Sequence, residues 1–251
     1  MSVETHPKRF AITVVIPVKD DAAELATCLS ALRAQTRLAD EIIVVDNASS
    51  DESAQVASAA GVTVVECSET GIPAASSQGY DLAAGDLILR LDADCVPSAF
   101  WIESVEAAFA DRPDVAAFTG GAYFVDGPYL LRGVLARIYL LAYALAAAPA
   151  LGHRPVFGSN FAMRRGTWRE VRAGVHRHDP ELHDDLDLSF HLGGRHRVGY
   201  LGSEPMGISM RPFRSAASFR HRVRRGFRTV VAHWPRDFPP WRWRRLAIQR
   251  S

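Results

Sequence analysis

Over the first hundred residues, short unbroken apolar runs alternate with stretches of helical spacing. Residues 11–16 (AITVVI), closed by Pro17, and residues 41–45 (EIIVV) are continuous and rich in β-branched side chains. Such runs predict strands covered on both faces. Residues 62–65 and 86–91 (DLILRL) predict two more. Between them, Leu25, Leu29 and Leu32 recur at helical spacing behind the acids Asp20, Asp21 and Glu24, and residues 72–84 read as a helix opened by Pro73. Strand–helix alternation of this kind predicts right-handed βαβ units, a parallel sheet and an α/β nucleotide-binding type of fold.

The rhythm changes after Asp94. Trp101, Val105, Ala108 and Phe109 mark an amphipathic helix, and residues 115–125 are strand-like around a Gly120-Gly121 break. Residues 129–151 are long and apolar, interrupted by Arg132 and Arg137. The uncharged part, 138–152, falls short of the roughly twenty residues that cross a bilayer, so a core helix is the favoured expectation over one that dips into a membrane. The final stretch carries an apolar stripe, Phe219, Val223, Phe227, Val230 and Trp234, flanked by Arg220, Arg222, Arg224, Arg225 and Arg228. Trp241 and Trp243 follow among further arginines. Such a basic amphipathic helix suits an interfacial anchor on anionic lipid, with guanidinium groups at the phosphates. The alternative is a helix that packs its stripe back onto the body; nucleic acid is not an expected partner. The expected organisation is therefore a catalytic region over 1–210, with a nucleotide-binding half (1–97) and an acceptor half (98–210), followed by an Arg/Trp-rich tail over 211–251.

Composition narrows the classes. At 251 residues with 48 % hydrophobic and 23 % charged side chains, the chain can build a large core and is neither disordered nor a small disulfide scaffold. Cys28, Cys67 and Cys95 have no paired spacing. The first nine residues are polar and lack a secretory pattern, so a cytoplasmic protein is expected. The net charge of +1 conceals an asymmetry: residues 211–251 hold twelve arginines and one acid, while the rest carries a balance of −10. A basic tail on an acidic body points to an anionic surface, here the inner face of the cell membrane.

The candidate chemistry is concentrated in Leu91-Asp92-Ala93-Asp94, where an apolar strand ends in two carboxylates. Loops at the carboxyl ends of parallel strands form the ligand crevice of an α/β sheet, and hard divalent cations take oxygen ligands together with substrate phosphates. Asp46 ends an earlier strand and Pro17-Val18-Lys19-Asp20 follows the first, so both belong to the same edge. Downstream, His183-Asp184-Asp185-Leu186-Asp187 clusters like charges, which can tune a carboxylate toward general-base work. His176, His178 and His183 lack the spacing of a zinc hydrolase. No glycine-rich dinucleotide or P-loop signature is present.

Taken in order, Val15-Ile16-Pro17-Val18-Lys19-Asp20, Ile43 to Asp51 (IVVDNASSD), Gly71-Ile72-Pro73-Ala74-Ala75, Leu91-Asp92-Ala93-Asp94, Gly158 to Arg165 (GSNFAMRR) and Asp184-Asp185-Leu186-Asp187-Leu188 resemble the inverting family 2 glycosyltransferases of GT-A fold. The resemblance runs from about residue 10 to residue 214. It implies transfer of a sugar from a nucleoside-diphosphate donor with Mg2+ or Mn2+; the basic tail, which would bring the site to a bilayer, favours a glycan or lipid-linked acceptor of the cell envelope. The resemblance further implies that Pro17, Val18, Asp20, Asp46, Ser76, Asp92 and Ala93 bind the nucleotide sugar, that Asp94 with Asp92 holds the metal, and that Asp185 is the base. Gly158, Asn160, His183 and Asp184 fall on the acceptor side. Two positions depart from the family: Asp184 replaces the usual Glu, and Ser76-Ser77 stands where Arg-Asn is common. The lost arginine removes a cation near the nucleotide, and Arg211 and Arg214 are the expected substitutes. A sugar nucleotidyltransferase or a non-catalytic nucleotide-sugar-binding protein are the alternatives; neither a basic phosphate loop nor loss of the three key acids is seen.

Overall fold

The computed structural model describes residues 9–213 and 215–250. Seven strands form one sheet in the order β3-β2-β1-β4-β6-β5-β7: β1 (Ile12–Val18), β2 (Glu41–Asp46), β3 (Thr63–Glu66), β4 (Leu87–Arg90), β5 (Ala117–Phe124), β6 (Phe161–Arg164) and β7 (Val198–Ile208). All pairings are parallel except those of β6, which runs against both β4 and β5. The four predicted N-terminal strands form its parallel half, and Gly120-Gly121 coincides with a shift of register in β5.

Period-two alternation in β1 sets up the layers. Ile12, Val14, Ile16 and Val18 enter one core with Leu25, Leu29 and Leu32 of α1 (Ala22–Arg33), Ala57 of α2 (Ser53–Ala59) and Trp101, Val105 and Phe109 of α4 (Trp101–Asp111). Val15 enters the opposite core with Ala74, Ala75 and Tyr80 of α3 (Ile72–Leu82), Trp168 of α6 (Arg165–Val171), and Leu188 and Leu192 of α7 (Asp184–Leu192). Helices thus cover both faces of the sheet, as continuous apolar strands require. The three cysteines are free and buried in these cores.

The topology also determines which residues meet. Strands β1, β2 and β4 end at the same edge. Because β6 is reversed, Phe161 at its start pairs with Arg90 at the end of β4. The 3-10 turn Gly158–Asn160 is thereby delivered to the edge where Asp92 and Asp94 emerge.

One expectation needs correction. Helix α5 (Arg132–Leu151) is not a core helix. Its small residues Ala136, Ala147 and Ala150 face inward, while Val134, Ile138, Leu141 and Leu145, spaced four, three and four apart, are 50–66 % exposed. Its 20 residues are long and apolar enough to cross a membrane by length and composition. The stripe of α8 (Ala216–Ala232) likewise points outward: Phe219, Val223 and Phe227 are 48, 56 and 68 % exposed. The helix docks through Val230, which packs on the cluster of Leu186 and Phe190, and through polar side chains. Buried Thr229 accepts from His183 N at 2.8 Å, Arg222 donates to Tyr139 Oη at 3.0 Å, and Arg225 donates to the Leu182 carbonyl. In α9 (Pro239–Arg250), Arg242 is buried and donates to the carbonyls of Leu151 and Phe190 at 2.6 and 2.9 Å.

Candidate active site

An open cleft of about 1210 Å3, mouth included, lies along the carboxyl edge of β1 and β4. Pro17, Val18, Asp92, Ala93, Asp94 and Arg211 line it, as the motif reading anticipates. Other expected residues stand elsewhere. Asp20, at a left-handed φ of 52°, accepts from Ser50 N (2.6 Å) and Ser50 Oγ (3.0 Å), tying the loop after β1 to the loop after β2. Its neighbour Asp21 faces the cleft instead. Asp46 is buried and accepts from Ser49 N at 3.3 Å, and Asn47 takes the lining position. Asn160 is fully buried: Trp101 Nε1 donates to its Oδ1 at 3.0 Å and its Nδ2 donates to the Gly121 carbonyl at 3.0 Å. A Cβ on Gly120 would sit 2.2 Å from that amide. Asn160 therefore has no free group for an acceptor and holds β5 against β6. Arg214 lies outside the described residues.

Sequence reasoning missed Arg90. This strand residue is 2 % exposed, and its Nη2 stands 2.7 Å from Asp92 Oδ1 and 3.2 Å from Asp184 Oδ2. One guanidinium thus joins the Asp-Ala-Asp motif to the start of α7. Room for it comes from Gly158, where a Cβ would fall 1.4 Å from Nη1. Ser76 of α3 approaches the same Asp184 oxygen at 3.4 Å. Arg90 thus places a buried cation beside Ser76, bordering the recess and not the main cleft. The available signal was an arginine inside a run of leucines and isoleucine, where an unpaired charge is prohibitively costly.

Asp184, Asp185, Ser76 and Gly158 border a narrow recess beside the main cleft. Asp185 Oδ2 accepts from Gly158 N at 3.0 Å, and its Oδ1 accepts from Tyr143 Oη of α5 at 3.3 Å and pairs with His183 Nδ1 at 2.6 Å. Burial pushes the Asp185 carboxyl up, but His183, Arg90 and the Gly158 amide more than offset this and hold it well below the usual carboxylate range. Reciprocally, burial opposes the charge on His183, and Asp185 overcomes it and raises the imidazole. Asp184 is pushed up by burial despite Arg90. The base candidate is therefore an ionised carboxylate in an ion pair, next to an aspartate whose ionisation is opposed.

The carboxylates of Asp92 and Asp94 come within 4.8 Å of each other. Burial and the Asp92 charge push Asp94 up, although Arg211 donates to it at 2.8 Å. Arg211 also pairs with Asp21. Two crowded carboxylates call for added positive charge, and an all-oxygen pair suits a hard divalent ion. Cys95 lies beside them, but a hard divalent ion favours the carboxylate oxygens over a thiolate. The residues fit a divalent cation held by Asp92 and Asp94, with Arg211 sharing the site. Arg222 and Arg225, expected at lipid headgroups, instead line the cleft opposite these acids. Their spacing of three along α8 places both on its inner face.

Structural similarity extends to a mannosyltransferase from Pyrobaculum calidifontis in complex with GDP-Man and Mn2+, at a TM-score of 0.66 and 20 % identity over 98 % of this chain and 76 % of that one. It extends also to glucosyl-3-phosphoglycerate synthase from Mycobacterium tuberculosis with UDP, at 0.61 and 18 % identity over 89 % and 79 %. These likenesses show a GT-A fold. Glycosyltransferase AglE of Haloferax volcanii is 31 % identical over 100 residues, 37 % of this chain and 33 % of that protein, so the match spans about a third of that relative's length. Residues 13–170 match the family model described as "Glycosyl transferase family 2", well over half of the sequence, and the chain belongs to that family.

Proposed function

We propose that the protein transfers a sugar from a nucleoside-diphosphate donor to an acceptor hydroxyl, with inversion at the anomeric carbon. The observation that carries this reading is the continuous ionic array Asp94–Arg211 and Asp92–Arg90–Asp184, which joins the metal motif to the helix bearing Asp185. Pro17, Val18 and Asn47 line the side of the cleft that would take the nucleoside. Arg211, Arg222 and Arg225 would face the diphosphate. When bound at Asp92 and Asp94, Mg2+ or Mn2+ supplies charge neutralisation for the departing diphosphate. Asp185 takes the acceptor proton as the oxygen attacks from the opposite face, and general-base help of this kind is worth roughly 10²–10⁴-fold. Because His183 and the Gly158 amide favour its charged form, Asp185 is ready to accept a hydrogen bond from the hydroxyl without first losing a proton. Ligands of structural neighbours, GDP-Man with Mn2+ in one and UDP-glucose with Mn2+ and phosphoglyceric acid in another, support the donor and metal classes.

The same reading makes this a peripheral enzyme of the cytoplasmic membrane face, acting on a lipid-linked or envelope acceptor. Two outward apolar stripes support it, one on α5 and one on α8. Phe213 extends the α8 stripe, its ring 6.5 Å from Phe219, toward the cleft-lining Tyr139 of α5 at 5.1 Å. Exposed Arg220 and Arg224 flank the α8 stripe, as a helix on anionic lipid requires.

Calorimetric titration of UDP, GDP, dTDP and CDP sugars, with and without Mn2+, tests the reading. One base should bind in a metal-dependent way, and Asp94→Asn should abolish that dependence. A chain that binds a donor but transfers it to no acceptor would favour the non-catalytic alternative. Failure to bind any of the four would overturn the proposal.

A further inference from the structure

On the far side of α7 from Asp185, three imidazoles converge on one carboxylate oxygen. Asp187 Oδ1 lies 2.6 Å from His176 Nδ1, 3.2 Å from His233 Nε2 and 3.6 Å from His191 Nε2. His233 Nε2 and His191 Nε2 are 3.5 Å apart. The four residues come from the segment after α6, from α7 at i and i+4, and from the end of α8, and their donor atoms all lie within 4.8 Å of one another. Asp187 and His233 are buried.

With neutral imidazoles, hydrogen bonding leaves one contact unaccounted for. His233 Nδ1 lies 2.8 Å from the Thr229 carbonyl, which can only accept, so the proton of a neutral His233 is on Nδ1. The lone pair on Nε2 then faces the Asp187 carboxylate at 3.2 Å, with His191 Nε2 3.5 Å away. Three nitrogens also crowd an oxygen with two lone pairs, while the other oxygen, Oδ2, already accepts from His176 N at 2.9 Å. A cation at the centre resolves these conflicts. Four ligands at about 2.0–2.1 Å in a tetrahedron are separated by about 3.3 Å; three of the separations here are 3.2, 3.5 and 3.6 Å, while His176 and Asp187, at 2.6 Å, must open. The outer contacts are those of a metal site as well: a carbonyl fixes the His233 tautomer and a backbone amide orients Asp187. The Phe190 ring stacks on His233 at 3.9 Å and limits its movement.

We propose that His176, Asp187, His191 and His233 bind one Zn2+ in a closed, four-coordinate structural site that fastens the C-terminal helix α8 to α7. Four protein ligands leave no open position, and the nitrogen-rich donor set selects Zn2+ over the Mg2+ or Mn2+ suited to Asp92 and Asp94. The ion acts on the fold: α7 presents Asp184 and Asp185, α8 presents Arg222 and Arg225, and the site holds the two helices together.

The full-length Asp94→Asn protein, which removes the other metal motif, provides the test. Purified with zinc, it should retain one Zn2+ per chain by elemental analysis. After chelator stripping, Zn2+ alone should raise the Tm by about 5–10 °C at a hundredfold excess over Kd. Co2+ should give the intense visible absorption of a tetrahedral site. His233→Ala, and His176→Gln at the partly exposed ligand, should abolish the Co2+ spectrum and the zinc-dependent Tm rise; the second variant tests the site if the first does not fold. Absence of retained zinc, of the Co2+ band and of any Tm response in the Asp94→Asn chain would overturn the proposal. So would an unchanged response in both histidine variants.

Discussion

Replacing Arg90 with Met removes the only cation bridging Asp92 and Asp184 among the described residues. The chain should survive this only with a large loss of stability. At about 4 Å between charge centres and an effective dielectric of 20, each of the two ion pairs is worth about 4 kcal/mol before desolvation is counted. Burying the guanidinium consumes much of that. Removal of one partner from a buried cluster, which strands the remaining charges, typically costs about 3–5 kcal/mol. For a chain of this size the loss corresponds to about 6–20 °C in Tm. The penalty should also depend on pH. Burial already raises the Asp184 carboxyl, and Arg90 opposes the rise, so Arg90→Met must raise it further. A group whose folded pKa lies above its unfolded value destabilises once pH climbs past the unfolded value. The deficit relative to the parent should therefore grow with rising pH and shrink on acidification, when Asp184 becomes neutral. Urea denaturation at several pH values, with constant slope, measures this directly. Adding Asp184→Asn to Arg90→Met should recover part of the loss at neutral pH. A Tm loss below about 3 °C, roughly 1 kcal/mol, with no pH dependence, would refute the ionic bridge as the organiser of the site.

Two further outcomes separate chemistry from docking. Asp185→Asn should leave metal-dependent donor binding intact and reduce transfer by roughly 10²–10⁴-fold, read by calorimetry and radiolabelled sugar transfer; transfer at the parental rate would remove Asp185 from its role. The triple variant Phe219→Ser, Val223→Ser, Phe227→Ser should lose at least about tenfold in affinity for anionic liposomes. Full burial of each such side chain is worth roughly 1.5–3 kcal/mol, and partial immersion of three readily exceeds the 1.4 kcal/mol of a tenfold change. Equal sedimentation of parent and variant would rule out the α8 stripe as the membrane contact.

The parallel half of the sheet was legible because each strand carries its own local signal. Continuous β-branched runs such as residues 12–16, and leucines at helical spacing, need no information from elsewhere in the chain. The edge to which Asp92 and Asp94 belong followed from strand direction alone. What remained hidden depends on long-range pairing. Asn160 reads like a polar residue of a binding loop, yet the reversal of β6 carries it beneath Gly120, where Trp101 and Gly121 consume its amide. Asp20 reads like a cleft residue until the loop after β2 approaches and Ser50 takes its carboxylate. No periodicity encodes either event. The exposure of α5 was obscured for another reason: an apolar helix that faces a core and one that faces outward have the same composition. Only the placement of Ala136, Ala147 and Ala150 on one side distinguishes them.

Charge in the tail was legible in amount but not in direction. Twelve arginines with one acid suggest a uniformly basic surface, and the apolar stripe suggests that the arginines flank a lipid contact. In the fold, α8 divides them by angle. Arg222 and Arg225 turn inward, toward Tyr139 and the Leu182 carbonyl, and line the cleft that holds Asp92 and Asp94. Arg228 pairs with Asp179 at 3.0 Å, and Thr229 and His233 reach α7. Phe219, Val223 and Phe227 occupy the opposite side. A helix that anchors its polar side chains on the body and leaves Phe219, Val223 and Phe227 outside is docked chiefly by polar contacts, with Val230 its apolar one. The excess of +11 in the tail is thus partly the counter-charge of the −10 in the body, brought together across one cleft. Any surface that engages the outer stripe therefore acts on the same helix that supplies two cations to the active-site cleft.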